Sequence, residues 1–277
     1  MRLRSRFFEC FASVPALAAL ALVCGLAHAQ TNTPLSGSYG FLIGQSFASS
    51  EEQKGLTFVG VMNLDGAGNI AAQATFQNGA GPNHGAQTGS TPFSGTYSSK
   101  PDGTGSLTIG IPGDLTLTFA IVIADGGQGL NLVATKCSIG PDSCGPDPSV
   151  TTGVARAIKS GVSLLKGSYG FQTNGAPVPV AIVGVLAFDG AGSATMSFTR
   201  VASGGDSASG SFAGSYSINA DGTGTINLND ASGQVNLTLA FVATDGGSGL
   251  LLIQTKNGDV AGFGPDSNVT FGTARLQ

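Results

Sequence analysis

The sequence predicts an all-β fold: two tandem antiparallel meander domains, each of about eight strands and suited to closing into a small up-and-down barrel. A β-sandwich is the alternative. Three observations predict it. One set of motifs occurs twice in the same order. Within each copy the apolar residues alternate with a period of two, the pattern of a strand with one buried face. Asp-Gly pairs separate the alternating runs, and such pairs mark tight hairpins because the turns need positive φ.

Taken in chain order, the first segment lies outside the fold. Arg2, Arg4 and Arg6 precede an apolar stretch from Val14 to Leu26 that ends in Ala27-His28-Ala29. This is the charged, apolar, small-x-small pattern of a cleaved signal peptide, so residues 1–29 are expected to leave and the mature chain to begin at Gln30. The apolar core is shorter than the ~20 residues of a spanning helix. Cys24 follows Ala21-Leu22-Val23, which lacks the leucine and small residue of a lipoprotein site. The expected location is secreted, periplasmic or elsewhere in the cell envelope, with no transmembrane helix after signal cleavage.

The mature chain keeps nine Lys and Arg against fifteen Asp and Glu, a formal charge of −6, and contains no basic run. Charged residues are 10% of the whole chain, against ~25% in ordinary domains. A charge-poor, mildly acidic surface argues against nucleic acid and anionic membranes as partners. The 44 glycines show no collagen period, and 41% apolar content favours compact β structure over a flexible low-complexity chain.

The first domain is expected over residues 30–158, a linker over 159–164 and the second domain over 165–277. Gly37-Ser38-Tyr39-Gly40-Phe41 recurs as Gly167-Ser168-Tyr169-Gly170-Phe171. Asp65-Gly66-Ala67-Gly68 recurs as Asp189-Gly190-Ala191-Gly192, and Asp102-Gly103-Thr104-Gly105 as Asp221-Gly222-Thr223-Gly224. Asp125-Gly126-Gly127 returns as Asp245-Gly246-Gly247, and Ala155-Arg156 as Ala274-Arg275. In the first copy, strands are expected near Tyr39, Val59, Ile70, Tyr97, Leu107, Phe119, Leu132 and Val154. The run Leu115, Leu117, Phe119, Ile121, Ile123 forms one large apolar face, and Leu237, Leu239, Phe241 answer it in the second copy.

Candidate chemistry is sparse. All four tyrosines, Tyr39, Tyr97, Tyr169 and Tyr216, follow Gly-Ser or Gly-Thr. They either pack barrel ends beside permissive glycines or stack a ligand at a barrel mouth. Cys137 and Cys144 are the only cysteines of the mature chain, and in an exported protein they are expected to form one loop-stapling disulfide. They lack the further soft or imidazole ligands of a metal site. His84, the one mature histidine, lies in a Gly/Pro-containing stretch and has no counterpart in the second copy.

The Asp-Gly-x-Gly turns bring one carboxylate each, and a closing glutamate is missing, so turn chemistry fits them better than calcium binding. Asp142 and Asp147 could bring two carboxylates together, with weak cation binding as the chemistry that pairing allows. No nucleophile elbow, His-Glu-x-x-His or P-loop is present. Neither enzymatic activity nor a cofactor is expected.

The Gly-x-Tyr-x-Phe opening, the Asp-Gly-x-Gly-x-Ile continuation at Asp65 to Ile70, and the Gly-x-Tyr return before Asp102 resemble secreted bacterial tandem β-repeat proteins of unassigned function. Ala194 departs from the pattern, which has Ile there. The resemblance brings no catalytic residues. The meander also looks loosely like lipocalin and avidin barrels, in architecture alone. The expected role is a non-enzymatic secreted or envelope binding or structural module. A carrier holding a small apolar ligand in the barrel interiors is the alternative, and an outer-membrane barrel or an enzyme ranks below both. The sequence identifies no particular partner; a small apolar ligand or an envelope component is the expectation.

Overall fold

A computed structural model describes residues 35–46, 56–78, 87–112, 115–139, 142–143, 150–159, 161–176, 180–202, 204–233, 236–257 and 269–277. No α-helix occurs among them. The first copy forms β1 (Ser36–Ser46), β2 (Leu56–Asp65), β3 (Asn69–Asn78), β4 (Gln87–Ser99), β5 (Thr104–Ile111), β6 (Leu115–Ala124), β7 (Gly129–Ile139), β8 (Asp142–Ser143) and β9 (Val150–Ala157). The second forms β10 (Lys166–Ala176), β11 (Val180–Asp189), β12 (Ser193–Ala202), β13 (Ser207–Ile218), β14 (Thr223–Asn229), β15 (Asn236–Thr244), β16 (Gly249–Asn257) and β17 (Val269–Leu276).

Both copies close. In the first, neighbouring strands pair antiparallel from β1 to β7, and β9 bridges β7 and β1. The two-residue β8 is a side hairpin on β7. In the second, β10 to β17 run strictly up and down, and β17 returns to β10 with Phe171 opposite Ala274. Closure pairs the first and last strands of each meander, which resolves the fold in favour of barrels over a sandwich. All eight strands expected in the first copy are present.

The Asp-Gly turns make the hairpins. Asp65 Oδ1 accepts the backbone N–H of Ala67 at 2.7 Å and of Asn69 at 2.9 Å. Asp189 repeats this with Ala191 and Ser193. These bonds hold the exposed carboxyls of Asp65 and Asp189 below the usual range: the Asn69 side-chain amide contributes most at Asp65, and the Ala191 N–H at Asp189. The Asp-Gly-Gly turns are single 3-10 turns whose aspartates take positive φ, 53° at Asp125 and 54° at Asp245.

The interiors are apolar. Tyr39, Phe41, Phe58, Phe93 and Phe119 fill the first barrel, with Phe41 and Phe93 edge to face at 5.5 Å. Tyr169, Phe188, Phe198, Phe212 and Phe241 fill the second, where Phe198 and Phe212 stack at 5.5 Å. A bulge recurs at one place in each: the register slips between Thr118 and Phe119 and again between Thr238 and Leu239. The extra residue, Thr135 or Thr255, bonds its hydroxyl to the carbonyl of Thr118 or Thr238.

A third apolar cluster joins the barrels. Leu42, Val59 and Val61 on the outer face of β1 and β2 pack against Ala240, Val242, Leu251 and Ile253 on the outer face of β15 and β16. The approach needs glycine, because a Cβ on Gly40 would lie 2.6 Å from Val242 Cγ1. The connecting segment is packed as well: Ile158 joins this cluster, and Val162 and Leu165 join the second barrel's core.

Candidate functional site

Four regions can be weighed: the tyrosine end of each barrel, the cleft between the barrels, the cysteine excursion on β7, and the opposite end of the second barrel.

At the tyrosine ends, Gly-x-Tyr positions the rings inward, at the start of β1 and β10 for Tyr39 and Tyr169 and at the end of β4 and β13 for Tyr97 and Tyr216. Tyr39 donates to the Gly127 carbonyl and Tyr169 to that of Gly247, each at 2.6 Å, tying β1 or β10 to the Asp-Gly-Gly turn. Tyr97 donates to the carbonyl of Leu35. Tyr216 donates to that of Leu165 at 2.7 Å and accepts the Leu165 N–H at 3.1 Å. Leu35 and Leu165 are thereby held as apolar plugs in their cores. Burial pushes the phenols of Tyr39 and Tyr169 up, and the neighbouring Tyr97 or Tyr216 adds to it. Outside, Asp125 pairs with Arg156 at 2.6 Å, and Asp245 pairs with Arg275. The four tyrosines thus spend their hydroxyls on backbone carbonyls.

Between the barrels runs a cleft of about 510 Å³, lined by Gln73, Thr88 and Ser90 on one side and Asn219, Asp221 and Thr223 on the other. A smaller hollow of about 430 Å³ shares Gln73 and Asp221. The cleft is rich in hydroxyls and amides. Its one carboxylate belongs to a turn, where Asp221 accepts from the Thr223 N–H at 2.9 Å and hydroxyl at 2.6 Å.

Of the remaining sequence-predicted residues, Cys137 lies half-buried on β7 opposite Leu117. Asp142 forms part of β8. Cys144, Asp147, His84 and residues 1–34 lie outside the described residues. Among the described residues no group of His, Cys, Asp and Glu could hold a metal, and no helix is long and apolar enough to cross a membrane.

The end of the second barrel opposite its tyrosines was not anticipated. There the inward positions carry Thr173 on β10, Arg200 on β12, Gln254 on β16 and Thr270 on β17. The Thr173 and Thr270 hydroxyls, the Arg200 Nε and both polar atoms of the Gln254 amide are buried without a hydrogen-bond partner. The equivalent first-barrel residues are Ile43, Phe76, Ala134 and Thr151, three of them apolar. Comparing inward positions between copies was the signal that could have found this ring. A cavity of about 10 Å³ lies against Phe171, Thr173, Met196, Leu252, Gln254 and Thr270, room for about one water.

No protein-family model and no curated protein matches the chain. Solved structures give distant likenesses. A protein provisionally assigned as ATTH from Nitrosomonas europaea is 10% identical with a TM-score of 0.31, over 88% of this chain and 94% of that one. CghA is 9% identical at a TM-score of 0.24, over 87% and 89%. Its complex with Sch210972 scores 0.25 at the same identity and coverage. Likenesses at this distance carry no functional argument.

Proposed function

We propose that this chain is an exported, non-enzymatic module of the envelope or extracellular space, in which two solid barrels form a rigid body that binds a partner or envelope component from outside. The observation that carries the reading is the filling of the interiors by aromatic and aliphatic side chains. A carrier of a small apolar ligand calls for a void of a few hundred Å³; a void against the second barrel's core residues Phe171, Met196 and Leu252 is about 10 Å³.

The exposed faces also count against a membrane barrel, whose lipid-facing band is apolar and whose interior is polar. Here Ser193, Thr195, Ser197 and Thr199 point outward on β12 while Ala194, Met196 and Phe198 point inward. Export fits residues 1–29 and the resemblance to secreted β-repeat proteins. In the same reading a Cys137–Cys144 disulfide staples the excursion that carries β8.

Native mass spectrometry of protein purified without denaturation tests the proposal. The expected mass is that of the bare mature polypeptide with one disulfide. A stoichiometric apolar molecule released on unfolding would overturn the reading in favour of a carrier.

A further inference from the structure

We propose that the polar end of the second barrel is a binding site for a small carboxylate, received by Arg200, Gln254, Thr173 and Thr270. This goes beyond the function proposed above and stands or falls independently of it.

The residues are neighbours by register. Ile253 pairs with Phe271, so Gln254 and Thr270 are the next positions along antiparallel β16 and β17. Thr173 pairs with Gly272, two residues beyond Thr270 on β17, and with Ile182, which in turn pairs with Arg200. Adjacent strands lie ~4.8 Å apart, so Arg200 stands two strand steps from Thr173 on the same inward face, with the buried Ile182 between them. The four residues form an arc around one end of the barrel.

Their burial needs a reason. Thr173 is 6%, Gln254 1% and Thr270 3% exposed, yet their polar atoms are unpartnered. Buried polar groups in folded proteins are almost always bonded, and an exception points to water, an ion or a ligand. A group that accepts can satisfy the Arg200 Nε–H, the Gln254 Nε2 and the two hydroxyls, and a threonine hydroxyl turned toward the Gln254 Oε1 can supply the donor that this atom needs. No described carboxylate bonds Arg200, whose planar fork matches a carboxylate.

The apolar floor of Phe171, Met196 and Leu252 leaves room for one water-sized group. In this proposal one carboxylate oxygen takes that water-sized space beside Thr173, Gln254 and Thr270, and Arg200, which does not line the void, meets the other. In the first barrel Ile43, Phe76 and Ala134 occupy three of the four positions, so the site belongs to the second copy alone.

Sodium acetate titrated into the isotopically labelled full mature chain at constant ionic strength tests this by NMR. Saturable shifts of the Arg200 Nε–H and Gln254 amide signals are expected, with none from acetamide or sodium chloride. R200Q should weaken acetate at least tenfold, and Gln254→Glu, nearly isosteric and carrying its own carboxylate, should abolish binding. Circular dichroism confirms that each variant is folded. Absence of saturable shifts, equal response to acetamide, or unchanged affinity in both folded variants would overturn the proposal.

Discussion

The same pair of sheet faces occurs twice in this molecule, once buried and once exposed. On β15, Ala240 and Val242 face the first barrel, and Val242 is 0% exposed. On β6 the equivalent residues are Ala120 and Val122, and Val122 is 52% exposed. The other face behaves alike: Leu42 and Val59 are covered, whereas their equivalents Gln172 and Val183 are not. The contact is thus heterologous, the β1–β2 face of one copy against the β15–β16 face of the other, and such contacts can in principle continue.

Polar residues interrupt the free faces. Gln172 stands where the buried face has Leu42, Asn174 where it has Gly44, Asn131 where it has Leu251, and Thr152 where it has Phe271. Outer faces of terminal repeats are commonly made polar in this way. One copy therefore supplies each half of the joint, and the free halves are blunted by a few side chains.

The largest effect expected from this comparison is a pair of identical substitutions. Val242→Asp places an unpaired charge in the joint and should cost about 3 kcal/mol or more, whereas Val122→Asp at the equivalent open position should stay within about 0.5 kcal/mol. Urea unfolding of both variants checks this. Equal losses would mean that the barrels do not depend on each other.

The two tyrosine clamps give the next contrast. Tyr216 is buried and both donates to and accepts from Leu165, whereas half-buried Tyr97 donates once to Leu35. Removing a hydroxyl that leaves buried partners unsatisfied costs about 1–3 kcal/mol. Tyr216→Phe should fall in the upper part of that range and Tyr97→Phe at or below its lower end. Thermal unfolding ranks them, and the reverse order would contradict the two-bond geometry.

The smallest effect concerns the polar ring. In carboxylate-free buffer, Thr173→Val removes an unpartnered hydroxyl at nearly constant shape and should be neutral or stabilise by up to ~1 kcal/mol. Ile43→Thr at the equivalent first-barrel position buries a new hydroxyl among apolar side chains and should destabilise by ~1–3 kcal/mol. Denaturant midpoints measure both; a destabilised Thr173→Val would mean that the hydroxyl already has a partner.

Much of this structure was legible beforehand. Alternation located the strands because a strand shows opposite faces to core and solvent, a property local to a few residues. Asp-Gly located the turns because their backbone needs positive φ and a side chain that accepts nearby N–H groups. The ring at Thr173, Arg200, Gln254 and Thr270 was not legible. Its members are spread over about a hundred residues, and each alone looks like an ordinary polar residue near a strand end.

The order of motifs along the chain, the period within each run and the turn chemistry between runs determined two all-β meanders of eight strands. Closure depended on β9 and β17 returning to β1 and β10, a long-range pairing that no local pattern encodes. Which Ala-x-Val face would be covered was likewise decided only when the second barrel packed on the first. Burial is a property of what lies opposite a residue, and what lies opposite Val242 and Val122 is set by the whole fold, not by the residues beside them.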